Sequence, residues 1–352
     1  ATGPAMSTIE HLAENICAGA ELDAATARAL LDVDADGPAA AALFAAARRV
    51  RRHFRGDTVS FCSILNAKAG NCTENCSYCS QAAGADNQDY SKHKWLDEDE
   101  VRQAAASAAA NGASALGLVA AWKGVKEGAQ LEMVCESVRR LSREGSIRAD
   151  VNLGILESQA CADALRAAGA STYGHNLETA RSFFEQTCDT HGFEQRLQTI
   201  RYIKQAGMGL CSGGIIGLGE NKDQRIEFAE QLRYIEPDMI PINFLNPLAG
   251  TDLADRQPVP AGEALITLAV FRLFLPQANI MVAGGKEVTF GERLHEVLGT
   301  GINALMVGNY LTTLGTGPDY WQEHLPRYGL RPAQASGCGC GSGGCGSDTA
   351  AD

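Results

Sequence analysis

Cys72, Cys76 and Cys79 stand in the run Asn71-Cys-Thr-Glu-Asn-Cys-Ser-Tyr-Cys, three thiols within eight residues. Three thiolates at that spacing hold three irons of a cubane [4Fe–4S] cluster, whereas ferredoxin-type sites need a fourth cysteine. None is close: the neighbouring cysteines are Cys62 and Cys135. The spacing therefore predicts a cluster with one iron open to a small molecule, which is a catalytic arrangement. A zinc site completed by a distant fourth ligand is the competing use of three cysteines. A second group, Cys338, Cys340 and Cys345, has the spacing C-x-C-x4-C on a Gly/Ser-rich segment.

The 352 residues, 45% hydrophobic and 20% charged, suffice for one large core. A net charge of −12 without any basic block argues against nucleic-acid or anionic-membrane binding. The patch Arg48-Arg49-Val50-Arg51-Arg52 reads as a solvated helix end. No apolar run approaches the length of a membrane span, so a cytoplasmic protein is expected. Ala1–Ala5, ahead of Met6, is set aside as an expression remnant. Twelve cysteines in a chain without a leader favour metal over disulfides, because half of them fall in the two tight groups.

Residues 7–55 read as helical. Beyond 57, short apolar runs near 58–65, 115–121, 147–153, 171–175, 209–216, 239–244, 279–283 and 303–307 alternate with helical patterns. Those patterns lie near 97–111, 130–144, 157–168, 194–206, 223–235, 260–273 and 290–298. Such alternation predicts a parallel sheet, and eight repeats predict a (β/α)8 TIM-type barrel with functional groups at the C-terminal ends of the strands. An open doubly wound sheet is the alternative, since periodicity does not report closure. The expected segments are a helical extension over 1–56, the barrel over 57–330 and a Cys-rich tail over 331–352.

C-x3-C-x2-C after the first strand of such a barrel resembles the radical S-adenosylmethionine (SAM) enzymes. Within them, most of residues 55–330 are similar to the biotin synthases. The stretches that carry the resemblance include Ala67-Lys-Ala-Gly-Asn-Cys72, Tyr173-Gly-His-Asn-Leu-Glu-Thr179, Cys211-Ser-Gly-Gly-Ile-Ile-Gly-Leu-Gly-Glu220 and Pro241-Ile-Asn-Phe-Leu245. The resemblance implies sulfur insertion into dethiobiotin by way of a 5′-deoxyadenosyl radical. It implies a [4Fe–4S] cluster on Cys72, Cys76 and Cys79, SAM as cosubstrate and a flavodoxin or ferredoxin as electron donor, with a homodimer possible for the family. Tyr78 would meet the adenine, and Asn176 and Glu178 the ribose. Arg196 would meet the SAM carboxylate, and Gly213, Gly214 and Gly217 its methionyl end. Asn243, together with Asn176, would bind the ureido ring. His175 reads as structural; Cys17, Cys62, Cys135 and Cys161 read as buried thiols, and Cys188 is left unassigned.

The chain also departs from that pattern. Where the better-known members hold a [2Fe–2S] sulfur donor on three cysteines and an arginine, it carries Gly117, Asp150, Cys211 and Lys286. The expectation is a variant in which Cys338, Cys340 and Cys345 fold over the barrel mouth and hold an auxiliary cluster, [4Fe–4S] by preference, with Cys211 as a fourth ligand and Lys286 nearby. A different radical SAM reaction, or a carrier of iron–sulfur clusters, are the alternatives.

Overall fold

The computed structural model describes residues 6–87 and 89–333. Three helices come first: α1 (Met6–Cys17), α2 (Ala24–Leu30) and α3 (Pro38–Arg55). Proline at the start of α3 and Gly56 after it delimit that helix, as their fixed and permissive φ angles favour. The barrel follows with β1 (Thr58–Lys68), α4 (Glu98–Ala110), β2 (Ala115–Ala120), β3 (Gly124–Val125), α5 (Ala129–Glu144), β4 (Arg148–Asn152), β5 (Ile155–Leu156), α6 (Gln159–Ala168) and β6 (Thr172–Gly174). Its second half comprises α7 (Arg181–Phe184), α8 (Phe193–Gln205), β7 (Gly209–Cys211), β8 (Gly214–Ile216), α9 (Lys222–Ile235), β9 (Ile240–Phe244), α10 (Ala261–Phe274), β10 (Ile280–Val282), α11 (Lys286–Phe290), β11 (Ala304–Met306), α12 (Pro318–His324) and β12 (Arg331–Pro332).

The strands run in the order β7-β6-β4-β2-β1-β11-β10-β9-β8, all parallel. The two ends of that path, β7 and β8, are consecutive in the chain, so the sheet closes on itself. The single strand expected over 209–216 is in fact broken at Ser212-Gly213. Its first half pairs with β6 and its second with β9, and bridges Cys211–Met239 and Glu178–Gly214 tie each half to the opposite neighbour. Counting the broken strand once, eight staves form the barrel. The short β3 and β5 pair with each other outside it.

Register explains what faces inward. Side chains alternate along a strand, so Cys62, Ile64 and Asn66 of β1 share a face. In neighbouring strands Cys62 pairs with Ala115 and Met306, Ile64 with Gly117, and Gly117 with Asp150. The segment read as a helix over 290–298 is instead a 3-10 turn over Gly291–Thr300. Every residue of α10 from Ala264 to Phe274 is buried, because α3 and this 3-10 segment cover its outer side. An α helix that is apolar on all sides needs such a second layer. Near its end Arg272 gives its guanidinium hydrogens to the carbonyls of Gly301, Pro276 and Ala278 and to Asn303 Oδ1, at 2.7–3.0 Å. A buried cation is tolerated only with its donors satisfied in this way.

The final described residues return to the other end of β1. Arg331 and Pro332 pair with Thr58 and Val59, and the Ala333 amide donates to Val59 O at 2.8 Å. The chain thus enters its Cys-rich tail at the N-terminal end of β1, opposite the mouth over which that tail was expected to fold. Cys338, Cys340 and Cys345 lie outside the described residues.

Candidate active site

The loop after β1 carries the first three cysteines. Gln81 anchors it: its carbonyl accepts from the Cys72 amide at 3.2 Å, and its side-chain oxygen accepts from the Gly70 amide at 2.8 Å and from Asn66 Nδ2 at 3.3 Å. The Cys79 amide donates to Cys76 O at 3.0 Å, forming the tight turn between those two ligands. All three thiols are half-buried. Burial pushes Cys79 up to about 11 and Cys72 in the same direction. Iron ligation must therefore displace protons, which couples cluster loading to pH. Three soft donors on one short loop fit three irons of a cubane and leave the fourth open.

A second layer holds this loop to the segment before α8. Glu74 is buried; its Oε2 lies 2.7 Å from His191 Nδ1 and accepts from the Thr190 hydroxyl. Burial opposes ionisation of Glu74, yet the hydrogen bonds from His191 and Thr190 outweigh it and hold the carboxyl down at about 2. Cys188, unassigned from sequence, is 5% exposed, 3.3 Å from His191 Nδ1 and 3.5 Å from Glu74 Oε2. It also shares a hydrogen bond with Cys76 itself. Sequence reasoning missed this network because its halves lie more than a hundred residues apart.

Beside the loop, the Tyr78 hydroxyl hydrogen-bonds the Glu178 carboxylate. Glu178 adopts φ +72°, and burial raises its pKa against the pull of Arg196. Arg196, 8% exposed, donates to Asn176 O at 2.8 Å and sits 3.8 Å from Glu178 Oε1. Asn176 accepts the Gly213 amide at 3.0 Å. The four residues expected at the cosubstrate, Tyr78, Asn176, Glu178 and Arg196, are thus one hydrogen-bonded group. Burial keeps the neighbouring His175 neutral.

These groups overlook a cavity of about 340 Å³ that runs down the barrel axis. Its upper wall includes Tyr78, Cys79, Gln81, Asn176 and Asn243; its floor includes Cys62, Ala115, Arg148, Cys211, Met239, Met281 and Met306. Asn243 donates to Gly214 O at 3.1 Å and accepts the Gly284 amide at 2.8 Å. One of its N–H groups and one lone pair are left for a ligand, the complement of half a urea.

Gly213, Gly214 and Gly217 are not among the residues that line this cavity. A Cβ at Gly213 would lie 1.9 Å from Pro241 O, at Gly214 2.2 Å from Glu178 O, and at Gly217 2.8 Å from a Val259 methyl. Their missing side chains admit protein backbone and packing on the Cβ side. Lys286 does not face the cavity either: it is fully buried, donates to Met306 O at 2.9 Å and to the Tyr310 hydroxyl, and pairs with Glu287 at 3.3 Å. Cys135 and Cys161 are buried as expected, but Cys17 and Cys62 are only half-buried, and Cys62 opens onto the cavity. Strand alternation with Ile64 would have signalled that.

The residues at the four [2Fe–2S] positions do not fit that cluster. Gly117 offers no donor. Both oxygens of Asp150 are engaged by Arg148, at 3.1 and 2.9 Å, and the Lys286 amine is committed elsewhere. Burial raises the pKa of Asp150 against the pull of Arg148. Of the four, Cys211 is the one that carries a thiol.

Comparison with known proteins agrees with this architecture. Residues 68–232 match the Radical SAM superfamily model and residues 241–331 the Biotin and Thiamin Synthesis associated domain. The chain is 43% identical to a biotin synthase of Geobacter sulfurreducens over 329 residues, covering 93% of this chain and 98% of that one. It is 42% identical to a biotin synthase of Pelobacter propionicus, covering 92% and 98%. The chain belongs to the biotin synthase family. Among solved structures, methylornithine synthase superposes with a TM-score of 0.80 at 20% identity, covering 92% of this chain and 98% of that one. The hydrogenase maturase HydG gives 0.78 at 18%, covering 94% and 76%. At such identities these two show a shared fold. Among the described residues, no helix is long and apolar enough to cross a membrane.

Proposed function

We propose that this chain converts dethiobiotin to biotin by inserting sulfur between two unactivated carbons, with SAM as cosubstrate. The observation that carries this reading is the three-cysteine loop at the mouth of a cavity edged by Asn176 and Asn243, in a chain of this family. When bound, the cluster on Cys72, Cys76 and Cys79 supplies one electron that splits SAM into methionine and a 5′-deoxyadenosyl radical, which takes hydrogen from the substrate.

The chain's own groups orient and enclose. Glu178 accepts the two ribose hydroxyls, a pair that suits the two oxygens of a carboxylate. Tyr78 covers the adenine. Arg196 holds Asn176 and Glu178 in place and balances the charge of the SAM carboxylate. Asn176 and Asn243 orient the ureido ring. Met239, Met281 and Met306 on the lower wall help to exclude water from a radical that would otherwise react unselectively. Cys338, Cys340 and Cys345 would hold an auxiliary iron–sulfur cluster that would supply the sulfur, because Gly117, Asp150 and Lys286 offer no thiolate for the usual one. The segments 1–56, 57–330 and 331–352 serve as helical support, radical-generating barrel and sulfur-donating tail. A flavodoxin or ferredoxin supplies electrons, and the protein works in the cytoplasm as a homodimer.

The test is anaerobic reconstitution with iron and sulfide, followed by reduction and incubation with SAM and dethiobiotin. Biotin together with 5′-deoxyadenosine is the expected result. 5′-Deoxyadenosine without biotin would move the protein to another radical SAM reaction; absence of both would leave a cluster carrier.

A further inference from the structure

We infer that Cys188 is a positioning residue for the cluster on Cys72, Cys76 and Cys79: its S–H hydrogen-bonds the sulfur of the ligand Cys76 and raises the reduction potential of the cluster. The inference rests on that cluster assignment and adds a residue that the cysteine motif does not contain.

The first observation concerns how the ligand sulfurs are served. Main-chain amides reach two of them, those of Glu74 and Thr73 at Cys72 and those of Gln81 and Ala82 at Cys79. Cys76 shares a hydrogen bond with a side chain, the thiol of Cys188. An amide is present in any sequence that forms the loop, whereas a side-chain donor depends on the residue chosen. A hydrogen bond between two sulfurs carries one proton. On iron, Cys76 has none to give, so the bond persists with Cys188 as donor. Donation draws negative charge from the ligand sulfur and favours the reduced cluster, because hydrogen bonds to the sulfurs help to set the potential.

The second observation is how firmly the two sulfurs are set against each other. Cys188 is 5% exposed, with Sγ 3.2 Å from Thr190 Oγ1, 3.3 Å from His191 Nδ1 and 3.4 Å from Asn75 Oδ1. Asn75 precedes the ligand, and its side-chain oxygen also accepts the Asp189 amide at 3.3 Å. Ser77 follows the ligand, and its amide donates to Thr187 O at 2.9 Å. The residues on both sides of Cys76 are thus bonded to the residues on both sides of Cys188, in antiparallel register, with the two thiols at the centre. Behind this clasp Glu74 engages His191 and Thr190, and Lys123 donates to Thr190 O at 2.6 Å. Cys135 and Cys161, by contrast, are packed among the buried residues of α5 and α6. A thiol that served only as a small hydrophobe would sit as they do; Cys188 sits among polar groups, against a cluster ligand.

The experiment uses the full chain, reconstituted and read without dethiobiotin, so its outcome does not depend on whether biotin is the product. Iron is counted first. The EPR signal of the reduced cluster, identified by its change on adding SAM, is then followed through a redox titration of the wild type, Cys188→Ala, Cys188→Val and Cys188→Ser. At the wild-type midpoint the ratio of reduced to oxidised cluster is expected to fall about tenfold in Cys188→Ala and Cys188→Val, a displacement of about 59 mV for a one-electron couple. Cys188→Ser, which keeps a donor, is expected to return towards the wild type. An unchanged midpoint in an apolar variant that retains its iron overturns the inference. So does a Cys188→Ser midpoint as displaced as that of Cys188→Ala, since that pattern reports packing alone. Should both apolar variants fail to hold iron, infrared spectra of the loaded wild type and of Cys188→Ser decide. The wild-type S–H stretch is expected to include a component lowered by hydrogen bonding that Cys188→Ser lacks; absence of that component overturns the inference.

Discussion

The mouth and the floor of this barrel treat cysteine differently. At the mouth, three thiols sit on one short loop whose neighbours are committed to holding it: Gln81 to Gly70, Asn66 and Cys72, and Glu74 to His191 and Thr190. At the floor, two thiols, Cys62 and Cys211, stand on separate strands, in a cavity that Gly117 and the salt-bridged Asp150 also line. A loop can assemble a ligand set from sequence neighbours. Residues on the floor come together only through barrel closure. The first arrangement is set by a local segment, whereas the second depends on register and closure.

The sharpest way to break this contrast is to remove one thiol from each end. Cys76→Ala should abolish 5′-deoxyadenosine and biotin together, to the level of the uncatalysed control. Cys211→Ser should abolish biotin while 5′-deoxyadenosine persists; chromatography of both products separates the cases, and parallel loss in both variants would erase the distinction. Next in size is the support layer at the mouth. Glu74→Ala should weaken cluster retention about 10- to 100-fold, the usual cost of losing an outer-shell partner, read as iron loss under a chelator.

At the floor, Arg148→Met should cost about 2 kcal/mol of unfolding free energy at neutral pH, as expected for a hydrogen bond to a charged group. Asp150 already has a raised pKa from burial, and a raised carboxyl pKa means stability present at low pH and lost as pH rises through it. The Arg148→Met deficit should therefore shrink in acid, where the carboxyl is protonated; denaturant melts at two pH values measure it. The smallest effect concerns loading. Because burial raises Cys72 and Cys79 above their ordinary values, iron uptake at the mouth should fall steadily as pH drops from about 9 to 6.5, seen in the absorbance of the cluster on reconstitution. A flat profile would mean that the loop holds its thiolates ready.

Much of the fold was legible beforehand, for reasons that particular elements illustrate. The strand at 115–120 and the helix at 98–110 announce themselves through an apolar run and a helical pattern, and the structure adds an Asp97/Glu100 capping box at the start of the helix. The break at Ser212-Gly213 did not, since one apolar run covers both halves and only pairing with two different neighbours separates them. Among site residues, Tyr78, Asn176, Glu178 and Arg196 were named from motifs, and the structure gathers them. At Gly213 the structure shows Pro241 O on the side a Cβ would occupy; glycine marks any close approach, and sequence does not say which atom makes it. Cys188 and His191 went unassigned because their partner Glu74 is remote in the chain.

By itself the sequence determined the chemistry at the mouth, since ligand spacing on a short loop is a local property: C-x3-C-x2-C places three sulfurs within reach of one cluster in any fold that exposes the loop. Tertiary structure alone decided which remaining thiols face the cavity and at which end of the barrel the tail begins. Those facts depend on register and closure, where a shift of one residue along β1 would turn Cys62 from the cavity to the outer layer.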